Sequence, residues 1–109
     1  MRTLNFLVSK DTIEQDPECD FDGLFPGKND DVQAKFTFSP DWKNRLKVVA
    51  FWSMLGKEYP PCVLNADNTC LIPKEALARP AFKIQIIGKH RGRRYETNTI
   101  TVYQKGGKP

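Results

Sequence analysis

The chain has one histidine, His90, two methionines and three cysteines, and none of them falls in a pattern that carries chemistry. No second Cys or His lies two to four residues from Cys19, Cys62 or Cys70, so no zinc-ligand spacing is present. His90 would have to serve every proton-transfer role in a Ser/His/Asp arrangement, and it sits among cations with no carboxylate beside it in sequence. A glycine-rich phosphate loop is also missing. Paired carboxylates such as Asp30-Asp31 lie in a polar stretch that offers no desolvation to make a general acid. These gaps argue against an enzyme and leave no expected cofactor or metal. Long apolar runs are missing too: Val48 to Trp52, and Ile84 to Ile87 broken by Gln85, fall far short of the roughly 20 residues of a membrane span. The N-terminal Met1 to Val8 is too short and too polar for a secretory core and reads better as a first strand, with folding in a cytoplasm.

What is present is a β-rich globular composition. At 109 residues the chain fits one domain, and a chain of that size buries about 65–70% of the surface its unfolded form exposes. Twelve aromatics (seven Phe, three Tyr, two Trp) favour a core of flat, stiff side chains in strands. The formal charge of +4 hides a division. Residues 1–31 hold eight acids and three bases, a net of −5, which leaves +9 for residues 32–109.

Alternation places strands at Thr3–Ser9, Val32–Phe38, Leu46–Met54, Tyr59–Leu64, Thr69–Ile72, Phe82–Ile86 and Arg94–Tyr103. From Lys10 to Asp31 the pattern fades into a long acidic connection, with at most a short extended piece near Phe21–Phe25. Pro40 sets a turn at Ser39–Asn44 that lets Trp42 cover one end of the core. Pro60-Pro61 pushes the fourth strand to an edge. Pro73 and Glu75 open one helical turn at Lys74–Ala78, and Gly88–Arg93 reads as a turn. About seven short strands with frequent turns specify an antiparallel sandwich or barrel over residues 1–104, followed by a flexible tail or linker at 105–109.

Several segments then occur in a telling order: Phe36-Thr37-Phe38-Ser39, Asp41-Trp42, Lys47 to Phe51, Cys70-Leu71-Ile72-Pro73-Lys74-Glu75-Ala76-Leu77, Gly88, and Thr97-Asn98. Together, over roughly residues 30–104, they resemble a small immunoglobulin-like module of bacteriophage tail, baseplate and other minor structural proteins. The resemblance implies an all-β, immunoglobulin-like antiparallel β-sandwich serving as a structural or adhesion unit of a virion, made in the host cytoplasm. Its implied partners are other copies of itself, other virion proteins or a host-surface glycan.

Three groups of residues are candidates for contact. Lys89, His90, Arg91, Arg93 and Arg94 crowd one expected hairpin tip beside Tyr95, a pattern that suits a polyanion or an acidic partner, with Tyr95 available for stacking on a base or sugar. A solvated tip is the plainer reading, and no nucleic-acid-binding fingerprint accompanies it. Asp16, Glu18, Asp20 and Asp22 form an acidic stretch suited to facing a partner. Glu18 to Gly23 looks like half a calcium loop, but the twelfth position is Asn29 where a bidentate Glu is needed, so no metal is expected. Trp42, Trp52 and Tyr59 would make a sugar platform if exposed; Trp52 is expected in the core, and the place of Trp42, next to a turn, is the open question. Cys62 and Cys70 flank a turn, either as packed thiols or as a disulfide. The expected function is therefore a non-enzymatic virion module. The rival is a phage-encoded intracellular effector that binds nucleic acid or a host protein through the basic hairpin 89–94.

Overall fold

A computed structural model describes residues 2–27 and 31–104. Two β-sheets pack face to face, as the alternation requires. One sheet has the order β2-β1-β3-β6, built from β1 (Arg2–Val8), β2 (Ile13–Gln15), β3 (Val32–Phe38) and β6 (Thr69–Leu71). In the other, β4 (Leu46–Trp52) and β7 (Ala81–His90) form the centre. β5 (Cys62–Val63) lies outside β4, and both β8 (Arg93–Glu96) and β9 (Ile100–Tyr103) pair with β7. A 3-10 turn at Pro40–Trp42 and the four-residue helix α1 (Lys74–Leu77) complete the described elements. The chain is an all-β sandwich.

Alternate residues make the core. Leu4, Phe6 and Val8 of β1 face Ala34 and Phe36 of β3 in one layer, against Val49, Phe51, Phe82, Ile84 and Ile86 of the other sheet. Phe6 and Phe36 stack with ring centroids 5.4 Å apart, and the row continues through Phe38 to Trp42. Each such aromatic pair adds about 0.5–1.5 kcal/mol beyond the area it buries.

The strands match the alternation best where one face is buried, and they depart from it in four places. First, β1 and β3 run parallel, in register from Arg2 beside Val32 to Val8 beside Phe38, while the other strand pairs are antiparallel as expected. A parallel neighbour needs a crossover of a dozen or more residues, and that is the work of the long acidic connection. Second, that connection contains a strand, β2, where only an extended piece near Phe21–Phe25 was expected, and no strand forms at Phe21–Phe25 itself. It returns along β1: the Asn5 amide donates to Cys19 Sγ at 3.4 Å, and the Arg2 guanidinium donates to the Asp20 and Asp22 carbonyls. Third, Tyr59–Leu64 shrinks to the two residues of β5, because Pro60 and Pro61 have no amide to pair.

Fourth, the last strand is broken. Ile87 pairs with Glu96, but Ile84 pairs with Ile100, so Thr97-Asn98-Thr99 face only Gln85-Ile86. One extra residue makes a bulge. Thr97 fills the gap, its hydroxyl accepting the Ile86 amide at 3.1 Å and its carbonyl accepting Gln85 Nε2 at 2.6 Å. Asn98 is turned out of its own sheet towards β2 of the other.

The two long sides of the sandwich are bridged differently. On one, Asn98 joins the bulge to Ile13. On the other, the Cys62 thiol of β5 donates to the Leu71 carbonyl of β6 at 3.6 Å. At one end, Trp42 is wholly buried, as the Ser39–Asn44 turn suggested, and its Nε1 donates to the Ser9 carbonyl. Gly88 makes room for it: a Cβ there would lie 2.5 Å from Trp42 Cζ3.

Candidate functional site

β7 and β8 build the basic hairpin. β7 runs on to His90, two residues past the expected turn at Gly88, because His90 still pairs with Arg93. The connection is only Arg91-Gly92, with φ of 52° and 77°. Two positive values are what a two-residue hairpin loop of the mirror-image type demands, and they match the right-handed twist of the strands. Arg91 in that position is unusual for a residue with a Cβ.

The register sets the charges. Lys89 stands directly across from Arg94, and His90 across from Arg93. Like charges across a strand pair are destabilising by a fraction of a kcal/mol. Arg94 is relieved by an ion pair with Glu96, both on the exposed surface. Lys47 and Leu46 of β4 pair with Gly88 and Lys89, which brings Lys43, Arg45 and Lys47 to the same end as the hairpin. The cation cluster is thus larger than residues 89–94. Its signal in the sequence is the every-other-residue spacing of Lys43, Arg45 and Lys47.

Arg45 holds the cluster in place. Its guanidinium lies 3.6 Å from the Tyr95 ring centroid and 4.9 Å from that of Trp42, and its Nη1 is buried without a hydrogen-bond partner. Cation–π contacts of this kind are worth about 0.5–2 kcal/mol according to how dry they are. Tyr95 is accordingly half-buried with one face taken by Arg45, so it braces the hairpin where a stacking platform was expected. Between Leu46 and the hairpin cations lies a hollow of about 570 Å³. Leu46 is 55% exposed at its side.

The acidic stretch takes the other end. The Asp16 and Asp20 carboxylates each accept a backbone amide two residues on, from Glu18 and Asp22. These short turns fix the two carboxylates against the backbone. Phe21 packs edge-on against Phe6 at 5.5 Å, Leu24 is buried, and Phe25 is left 45% exposed. The Gly27 amide donates to the Leu77 carbonyl at 2.9 Å, tying the segment to the end of α1. Among the described residues no three His, Cys, Asp or Glu side chains converge as metal ligands. Asn29 and Asp30 lie outside the described residues, as does the tail 105–109.

The three aromatics of the supposed sugar platform are not brought together. Trp42 and Tyr59 are buried. Trp52, expected in the core, is half-exposed beside Lys83 on the outer face, because Phe51 and Ile84 take the inward positions of that register.

Cys62 and Cys70 are free thiols in hydrogen-bonding proximity. Burial pushes the Cys70 thiol up to about 12, with the neighbouring Cys62 adding to the shift. Burial also raises Cys62, and its hydrogen bond with Cys70 offsets part of that. Neither is poised as a thiolate nucleophile at neutral pH.

A further hollow, about 650 Å³, opens between the β4–β5 turn and α1, walled by Met54, Leu55, Tyr59, Arg79, Pro80 and Ala81. A large apolar side chain in a turn was the available signal, and Leu55 is 99% exposed.

With this geometry in view, comparison with known proteins finds no matching family model, curated protein or solved structure.

Proposed function

We propose that the chain is a non-enzymatic structural or adhesion module of a phage virion, working through protein–protein or host-surface contacts. The observation that carries this reading is how the motif residues are used. Trp42 and Gly88 close one end of the core, Thr97 and Asn98 form the bulge and the strap to Ile13, and Ala76 and Leu77 are the buried residues of α1. The residues that carry the resemblance to the phage module therefore serve the architecture, while the concentrated charge is left at exposed ends, available for docking. Virion localisation is part of the same proposal.

The test is mass spectrometry of purified phage particles alongside the cleared lysate. The chain is expected in particles at a fixed ratio to a major virion protein. Abundant chain in the lysate with none in particles overturns the reading.

The basic hairpin favours the second reading, an intracellular effector, because a cation cluster around an open hollow suits phosphates. A mobility-shift titration with duplex and single-stranded DNA separates the two. Tight, steeply salt-dependent binding supports the effector, and weak binding indifferent to Arg91, Arg93 and Arg94 removes it.

A further inference from the structure

The two ends of the strands differ in their dominant charge, though Glu14, Asp41 and Glu96 lie at the hairpin end and Arg2, Lys74 and Arg79 at the acidic one. At one end, Asp16, Glu18, Asp20 and Asp22 lie along the first half of β1, fastened through Arg2 and Cys19, and Gly27 ties the segment to Leu77. No Lys or Arg occurs from residue 11 to residue 27. Ala81, where β7 begins, is at this same end, since Gln104 bonds both the Pro80 and Leu77 carbonyls. At the far end of β7 stand Lys89, Arg91, Arg93 and Arg94, joined by Lys43, Arg45 and Lys47.

β7 has ten residues, and strands rise about 3.3 Å per residue, so the two ends are about 30 Å apart. That is several times the screening length of about 8 Å at physiological salt. The two clusters therefore do not neutralise each other within one molecule. Each end also carries an apolar element: Phe25 stands exposed at the acidic end, and Leu46 beside the hollow at the basic end.

We infer that two copies of this chain associate head to tail, Asp16, Glu18, Asp20 and Phe25 of one docking on the cationic hairpin and Leu46 hollow of the next. This names a partner for the proposed structural module and rests on that reading. An arrangement about a two-fold axis through either end sets like charges against like and is disfavoured. Head-to-tail contact uses two different surfaces, so it propagates into a ring or an open row and does not stop at a pair. Charge of this kind sets orientation and encounter rate more than raw affinity, and salt weakens it.

The experiment is sedimentation velocity of the full chain across concentrations at low and high salt. Association beyond the monomer is expected at low salt, about tenfold weaker on moving to high salt. Two variants break opposite ends. Asp16→Asn/Glu18→Lys/Asp20→Asn keeps the side-chain turns but removes the acidic end. Arg91→Glu/Arg93→Glu/Arg94→Glu reverses the basic one. Each alone should stay monomeric with an unchanged circular dichroism spectrum.

Mixed, the two variants should form a capped one-to-one pair, because each retains the surface the other needs. Phe25→Ser should weaken the wild-type contact at least several-fold. A wild-type chain that is monomeric at every concentration in low salt overturns the inference, as do variants that still self-associate. So does a monomer whose hairpin instead takes up an added oligonucleotide or wall glycan. Particle mass spectrometry keeps the two proposals apart: a monomer found in particles sinks only the head-to-tail contact, and a self-associating chain absent from particles sinks only the virion reading.

Discussion

Asn98 holds Ile13 as a strand would: its Oδ1 accepts the Ile13 amide at 2.7 Å, and its Nδ2 donates to the Ile13 carbonyl at 3.4 Å. The two residues belong to different sheets and are 85 positions apart. The Asn98 amide itself donates to the Asp11 carbonyl at 3.3 Å. A side chain thus supplies the backbone pairing that β2, at the edge of its sheet, would otherwise lack on its outer side.

Asn98→Ala should destabilise the chain by about 1–2 kcal/mol, because it leaves the Ile13 amide without an acceptor next to the core. Asn98→Asp keeps the acceptor and should cost less. Urea denaturation measures the difference, and amide exchange should show Ile13 as the position that gains most in rate. Equal stability of Asn98→Ala and wild type would show that the strap contributes nothing.

Gly88→Ala should cost about 1–3 kcal/mol, the usual penalty for forcing a methyl group into a filled core. The added Cβ meets the Trp42 ring and not a yielding side-chain tip. Paired with Trp42→Phe, the loss should be smaller than the sum of the two single changes, a coupling that a double-mutant cycle reads directly. Strict additivity would mean the close approach is not what requires glycine.

The Arg91-Gly92 turn predicts two opposite outcomes. Gly92→Ala should lower stability by about 1 kcal/mol, since φ of 77° is strained for a residue with a Cβ. Arg91→Asn should leave stability unchanged or raise it by a few tenths of a kcal/mol, because Asn accepts the left-handed conformation more readily. Thermal melts of the pair of variants check both directions.

Cys70 makes stability fall in alkaline solution. Its thiol ordinarily ionises near 9.0, and in the fold burial pushes it up to about 12. Below the unfolded value both states keep the proton and the contribution is intact. As pH rises from about 8.5 towards 12 the unfolded chain sheds the proton first, so unfolding is favoured. The urea midpoint of wild type should drop more steeply between pH 8 and pH 10 than that of Cys70→Ala, and parallel slopes would refute the assignment.

The parts of this fold written in the sequence are those where one strand face is dry. Val32–Phe38 alternates cleanly and forms a strand over those residues, and Leu4, Phe6 and Val8 likewise announce β1. β2 left no trace because Ile13 is its lone inward residue, and one residue is not a period. The parallel pairing of β1 and β3 was hidden because alternation records which face is buried and not which way the neighbour runs. Trp52 left its expected place in the core because burial followed register, and Trp42 settled into the space above Gly88; residue type reveals neither. At the candidate site, the hairpin cations were plain from composition, while the Lys43, Arg45 and Lys47 contribution depended on the pairing of β4 with β7.

The bulge at Thr97–Thr99 also interrupts the free rim of the larger sheet. β8 and β9 together would offer an intruding strand a long run of free backbone groups, the template on which fibrils grow. With one residue inserted between them, a straight visitor can match the four positions of one piece but loses step with the other. Deleting Thr99 to smooth that rim should promote amyloid-type stacking, read as thioflavin-binding aggregates that the unaltered chain does not form under the same conditions.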